Sequence, residues 1–182
     1  MKSPEPSNAE KSHLPEPCVP LLFLDVDGPL IPFGGTSIGV YGSTRPEPGT
    51  NPLLARIDPA LGPLLRALPC ELVWATSWGE DANAEVAPYL GLPRLPVVHW
   101  TDDGPGPRLH WKTRTIVEWA DGRPFVWIDD EIGEQDRTWV AAAHPGLALL
   151  HLVAPQLGLT SHDLETVRRW LLHPSRRNAS RC

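Results

Sequence analysis

The chain has 182 residues, enough for one α/β domain with a real core and short tails. Sixteen Lys and Arg against 22 Asp and Glu give a net charge of −6, which favours solubility and argues against a general basic footprint for nucleic acid. Three cysteines (Cys18, Cys70 and Cys182) without CxxC spacing suggest neither a disulfide framework nor a zinc site. The N-terminus carries no apolar signal segment, and no apolar run is long enough to span a membrane, so the expectation is a reduced, cytoplasmic protein.

Residues 1–18 are polar and proline-rich and are expected to be a disordered tail. The first strand is expected over 19–25, VPLLFLD, and runs into DGPL. Residues 31–56 are glycine-rich and irregular, a flap-sized insertion too small to be a separate domain. A helix follows in IDPALGPLLRAL, where Asp58 suits the cap, Pro59 the first turn, and Pro63 argues for a late start.

Further strands are expected at 71–76, 95–100, 124–130 and 147–153, each short and almost continuously apolar, as in a sheet covered on both faces. Helices are expected over 79–90, 111–120 and 134–143. The last helix starts at Thr160, which forms a capping box with Asp163. The alternation predicts a parallel five-stranded sheet between helices over residues 19–173, with a basic tail at 174–182.

In such a sheet, ligands bind beyond the carboxyl ends of the strands. Asp25 and Asp27 close the first strand, Thr76 and Ser77 the second, and Asp129 and Asp130 the fourth, while Lys112 opens a helix. In an extended strand Asp25 and Asp27 leave the same side about 7 Å apart. Taken singly, each residue has an ordinary explanation: an Asp-Gly turn, a β-branched strand residue, a surface lysine, an acidic strand end.

Together they converge on one rim. Crowded carboxylates repel unless a cation lies among them, and an oxygen-only donor set favours Mg²⁺ over zinc. An EF-hand is excluded because its later ligands are missing. In the order DxD, Thr, Lys, DD, the set reads as a phosphoryl-transfer site.

DVDGPL, WATS, Lys112 and IDDE resemble the four motifs of the haloacid dehalogenase (HAD) superfamily of phosphatases. WATSWGEDAN, WIDDE and the GLT before the last helix are similar to the small HAD domains associated with Swiss Army Knife RNA repair proteins. The resemblance covers roughly residues 20–172 and implies a Rossmann-like three-layer α/β/α sandwich, nearly capless.

It also implies roles. Asp25 would be the nucleophile that becomes an aspartyl-phosphate, and Asp27 the general acid/base. Thr76, Ser77 and Gly28 would contact the phosphoryl group, and Lys112 would neutralise it and hold Asp25. Mg²⁺ would be held by Asp25, the backbone carbonyl of Asp27, Asp129 and, through water, Asp130.

Pro29 departs from the family pattern and puts motion of the flap in doubt. The absence of a large cap implies an open site for a large phosphorylated substrate, such as a nucleic-acid end or a phosphoprotein. A non-catalytic phosphate- or nucleotide-binding module of the same fold is the alternative. A receiver domain places its residues in another order, and a metal nuclease lacks the Thr and Lys pair.

Trp78, Trp100 and Trp111 fall near the rim, where filling the core is the ordinary role and base stacking the functional one. His110 reads as a polar loop residue near the site, and Arg108 and Arg114 as candidates for steering phosphate.

Overall fold

A computed structural model describes residues 18–35, 40–41, 51–100 and 109–173. The terminal tails up to residue 17 and from 174, the middle of the 31–56 insertion, and Arg108 lie outside the described residues.

Four strands form one parallel sheet: β1 (Leu21–Leu24), β2 (Glu71–Trp74), β3 (Phe125–Asp129) and β4 (Ala148–Leu152). Their order is β2-β1-β3-β4, so β1 is internal. Leu24 lies level with Trp74 of β2 and Ile128 of β3, which puts the carboxyl ends of all three strands at one height.

The expected strand at 95–100 does not form. It makes a single bridge, Val97 beside Trp74, in which Trp74 N–H donates to the Pro96 carbonyl and Val98 N–H to the Trp74 carbonyl, both at 2.9 Å. Pro93 and Pro96 lack the N–H donors that a longer ladder would need. The sheet therefore has four strands rather than five.

Side chains alternate across the sheet, as period-two geometry requires. Leu22, Leu24, Trp74, Val126 and Ile128 enter one apolar cluster, while Leu21, Phe23, Val73, Phe125 and Trp127 enter a second. The first cluster takes in α1 (Leu61–Arg66), α2 (Ala87–Leu90, continuing a wider helical turn over Ala82–Val86) and α5 (Ser161–Leu172). The second takes in α3 (Thr113–Ala120) and α4 (Glu134–Ala143). β1, β2 and β3 are thus apolar on both sides, which explains the unbroken runs in the sequence, while the edge strand β4 is only partly covered.

The helix signals act locally. Asp58 Oδ1 accepts from Ala60 N–H at 2.9 Å, and α1 starts at Leu61, leaving Pro63 in a first turn that does not need its N–H. Thr160 and Asp163 form the expected reciprocal cap of α5, with Asp163 Oδ2 accepting from Thr160 N–H at 2.9 Å. Gly91 (φ +60°) ends α2 in the left-handed conformation.

Among the described residues Cys70 is a free cysteine. Among the described residues no helix is long and apolar enough to cross a membrane.

Candidate active site

Asp25 continues β1 by one residue. Its N–H donates to the Ile128 carbonyl at 3.1 Å, while Ala75 N–H donates to the Leu24 carbonyl at 2.9 Å. This register sets Asp25 beside Asp129, the last residue of β3. Both are buried, with 6% and 0% of their surface exposed, so their repulsion is poorly screened by water.

Lys112 answers that repulsion. Its Nζ lies 2.6 Å from Asp25 Oδ2 and 2.8 Å from Asp129 Oδ2, and the residue is 3% exposed. It immediately precedes α3, where the macrodipole disfavours a cation, so the two carboxylates are what hold its charge there. Trp127 Nε1–H also donates to Asp129 Oδ2 at 3.2 Å.

Beyond Asp25 the chain turns sharply. The Val26 carbonyl accepts from Leu30 and Ile31 N–H at 3.0 and 2.9 Å, and Gly28 N–H donates to the Ile31 carbonyl at 3.1 Å. Gly28 has φ +80°, and a Cβ there would lie 2.4 Å from Asp130 Cγ. Glycine therefore both allows the turn and leaves room for the Asp130 carboxylate.

The turn has no use for an N–H at residue 29, so Pro29 fits without loss. Its carbonyl accepts from Leu159 N–H at 2.7 Å, and Phe33 N–H donates to the Pro155 carbonyl at 2.8 Å. The base of the insertion is thus fastened to the loop before α5.

Asp25, Asp129 and Asp130 bring carboxylate oxygens within 4.8 Å of one another. The Asp27 side chain is not in that group. Half-buried, its Oδ2 accepts from Trp78 Nε1–H at 2.9 Å. Thr76 is fully buried, with Oγ1 accepting from Trp78 N–H at 3.3 Å, while Ser77 is exposed.

Burial pushes the Asp25 carboxyl up to about 7; Lys112 opposes the shift and Asp129 adds to it. Burial also raises Asp130, with Asp129 contributing. Burial alone would lower the Lys112 ammonium, yet the Asp25 and Asp129 carboxylates outweigh it and raise the group.

Three carboxylates against one lysine leave net negative charge in a poorly solvated place. Oxygen donors only, close together and short of positive charge, suit a hard divalent cation such as Mg²⁺.

Two supporting residues were not singled out in the sequence. Trp127 was read only as a strand residue. Asp136, 3% exposed, accepts from His110 N–H at 2.9 Å and the Thr113 hydroxyl through Oδ1, and from Gly133 N–H at 2.8 Å through Oδ2. It ties the start of α4 to the start of α3, and so to Lys112. An acid three residues after Gly133 signals a helix cap, but nothing in the spacing shows the reach back to His110. Arg114, a candidate for steering phosphate, instead lies over the Trp139 ring at 5.2 Å.

A family model for the HAD domain in Swiss Army Knife RNA repair proteins matches residues 21–164, a span that includes every residue of the cluster. No curated protein and no solved structure matches the chain. With the match extending over most of its length, the chain belongs to the family of HAD domains found in Swiss Army Knife RNA repair proteins.

Proposed function

We propose that the chain is a Mg²⁺-dependent phosphohydrolase acting through an aspartyl-phosphate on a large phosphorylated substrate, with nucleic-acid ends as its class. The observation that carries this is the buried Asp25 carboxylate, gripped by Lys112 at 2.6 Å with Asp129 and Asp130 beside it. The family's place in RNA repair proteins supports the substrate class. The active unit is proposed to span residues 19–173, with 31–56 as a flap, in a cytoplasmic setting.

Asp25 attacks phosphorus, and the ester P–O bond breaks. The leaving oxygen takes a proton from Asp27, whose carboxylate is oriented by the Trp78 indole N–H. Water then attacks the acyl-phosphate and gives a proton to Asp27, and phosphate departs as the Asp25 carboxylate is restored.

Lys112 offsets negative charge on the phosphoryl oxygens while keeping Asp25 in line. Thr76 and Ser77, with the backbone at Gly28, contact the same oxygens. Mg²⁺ held by Asp25, Asp129 and Asp130, with the Asp27 carbonyl, would supply charge neutralisation to the phosphoryl group.

The test is Mg²⁺-dependent phosphate release from an aryl phosphate and from phosphorylated RNA and DNA ends, by wild type and Asp25→Asn. Activity confined to wild type supports the reading, as does BeF₃⁻ binding that requires Asp25. Activity surviving in Asp25→Asn removes the nucleophile. Binding of phosphorylated ends without turnover of any substrate identifies a non-catalytic module instead.

A further inference from the structure

The indole of Trp111 stands out among the tryptophans of the described residues. It is 39% exposed, although it directly precedes the buried Lys112. An exposed indole is ordinarily a mobile side chain, but this one is braced. Trp100 meets it edge-on with ring centroids 4.7 Å apart, and Trp100 is itself fixed by an Nε1–H bond to the Thr76 carbonyl at 3.0 Å.

On another side lies the His110 ring, 5.6 Å away. His110 Nδ1 accepts from Lys112 N–H at 3.3 Å and its Nε2 bonds Glu131 at 3.1 Å. Trp111 is therefore coupled through its neighbours to Thr76 and Lys112, two of the residues assigned to the phosphoryl group. The Lys112 ammonium, bound to Asp25, is 5.3 Å from the centre of the Trp111 ring.

Deepening the proposed phosphohydrolase reading and resting on it, we propose that Trp111 is a stacking platform for the nucleobase of the terminal, phosphate-bearing nucleotide. A flat apolar surface held rigid before binding loses little side-chain entropy when a base covers it. Stacking also accepts any base, which suits an enzyme that tidies strand ends irrespective of sequence.

The charge around the site shapes the rest of the inference. Glu131 is exposed beside the platform, and the chain carries a net charge of −6, both of which disfavour extended contact with a sugar-phosphate backbone there. Recognition is concentrated on one base and one phosphate. Length beyond the terminal nucleotides adds little.

The test pairs a change in the protein with a change in the substrate. Turnover is compared for a 5′-phosphorylated RNA dodecamer with a normal terminal nucleotide and one with an abasic terminal nucleotide, using wild type, Trp111→Ala and Trp111→Phe. Loss of one stacked base is expected to lower kcat/KM of wild type by about 5- to 150-fold. In Trp111→Ala the two substrates become equivalent, and in Trp111→Phe most of the preference returns.

The same pairs are titrated by equilibrium binding in the Asp25→Asn background, so the platform is tested even if the chain releases no phosphate. A 5′-phosphorylated trinucleotide is included and is expected to bind within a few-fold of the dodecamer. The proposal is overturned by equal handling of normal and abasic ends in wild type, by a base preference that survives in Trp111→Ala, or by binding that rises steeply with strand length. Asp25-dependent release of phosphate from the aryl ester together with any of these would leave the phosphohydrolase standing and remove only the platform.

Discussion

Lys112→Met tests the electrostatic arrangement directly, because methionine keeps much of the side-chain length and removes the charge. Lys112, Asp25 and Asp129 are 3%, 6% and 0% exposed, so water cannot replace the ammonium. Removing one partner from a buried charge group costs about 3–5 kcal/mol. A domain of this size has a total stability of roughly 5–15 kcal/mol, so the loss is a large share of it.

At about 2–4 °C per kcal/mol, the melting temperature should fall by roughly 6–20 °C. The loss should be greater at pH 8 than at pH 5, since at pH 5 Asp25, with its carboxyl up at about 7, is protonated and needs its partner less. Urea unfolding of the Mg²⁺-free protein at the two pH values measures both effects. Lys112→Met/Asp25→Asn, which leaves Asp129 as the one charged member of the trio, should recover part of the lost stability at pH 8. A single variant as stable as wild type at pH 8, or equally destabilised at both pH values, would refute the claim that Lys112 offsets two buried carboxylates.

Asp25 alone sets a pH slope: its folded-state carboxyl is raised from 3.8 to about 7, so its contribution is full below 3.8 and is lost as pH rises through about 7. Urea titrations of the Mg²⁺-free protein should show that decline, and Asp25→Asn should flatten it while abolishing phosphate release. Gly28→Ala should cut Mg²⁺-dependent turnover at least tenfold, because the new methyl would lie 2.4 Å from Asp130 Cγ at φ +80° and must displace that carboxylate; a raised Mg²⁺ requirement in kinetic titrations checks it. Gly62→Ala should lower the melting temperature without changing the Mg²⁺ requirement, because its Cβ would fall 1.7 Å from the Leu90 carbonyl oxygen, with no carboxylate among its nearest atoms, and force α1 away from α2; calorimetry beside the same titration separates the two.

What the sequence made legible was whatever is written in local spacing. Near-continuous apolar runs identified four parallel strands, of which β1, β2 and β3 are covered on both faces, and the Thr160 and Asp163 cap is a short-range bond readable from two letters. The strand at 95–100 misled because its apolar residues do face the core, as burial of Val97 and Val98 shows, while Pro96 denies it a ladder donor. Pattern reports burial; backbone donors decide pairing. The sheet thus ends at β2 with one bridge where a fifth strand was expected.

The candidate site divides along the same line. Acidic residues at strand ends follow from topology, since parallel strands in register bring their carboxyl ends to one height, and Asp25 and Asp129 become neighbours once β1 pairs with β3. Asp136 was invisible because its meaning lies in a contact across 26 residues, to the N–H of His110, which no spacing rule encodes. Pro29 shows the converse. Against a family pattern it looked like a loss of flap motion, yet the turn from Asp25 to Ile31 uses the N–H groups of Gly28, Leu30 and Ile31 and has no role for one at residue 29. With the Pro29 carbonyl bound to Leu159 and Phe33 bound to Pro155, the fixed base of the insertion extends at least to Phe33, so any movement over the phosphate must hinge beyond that point.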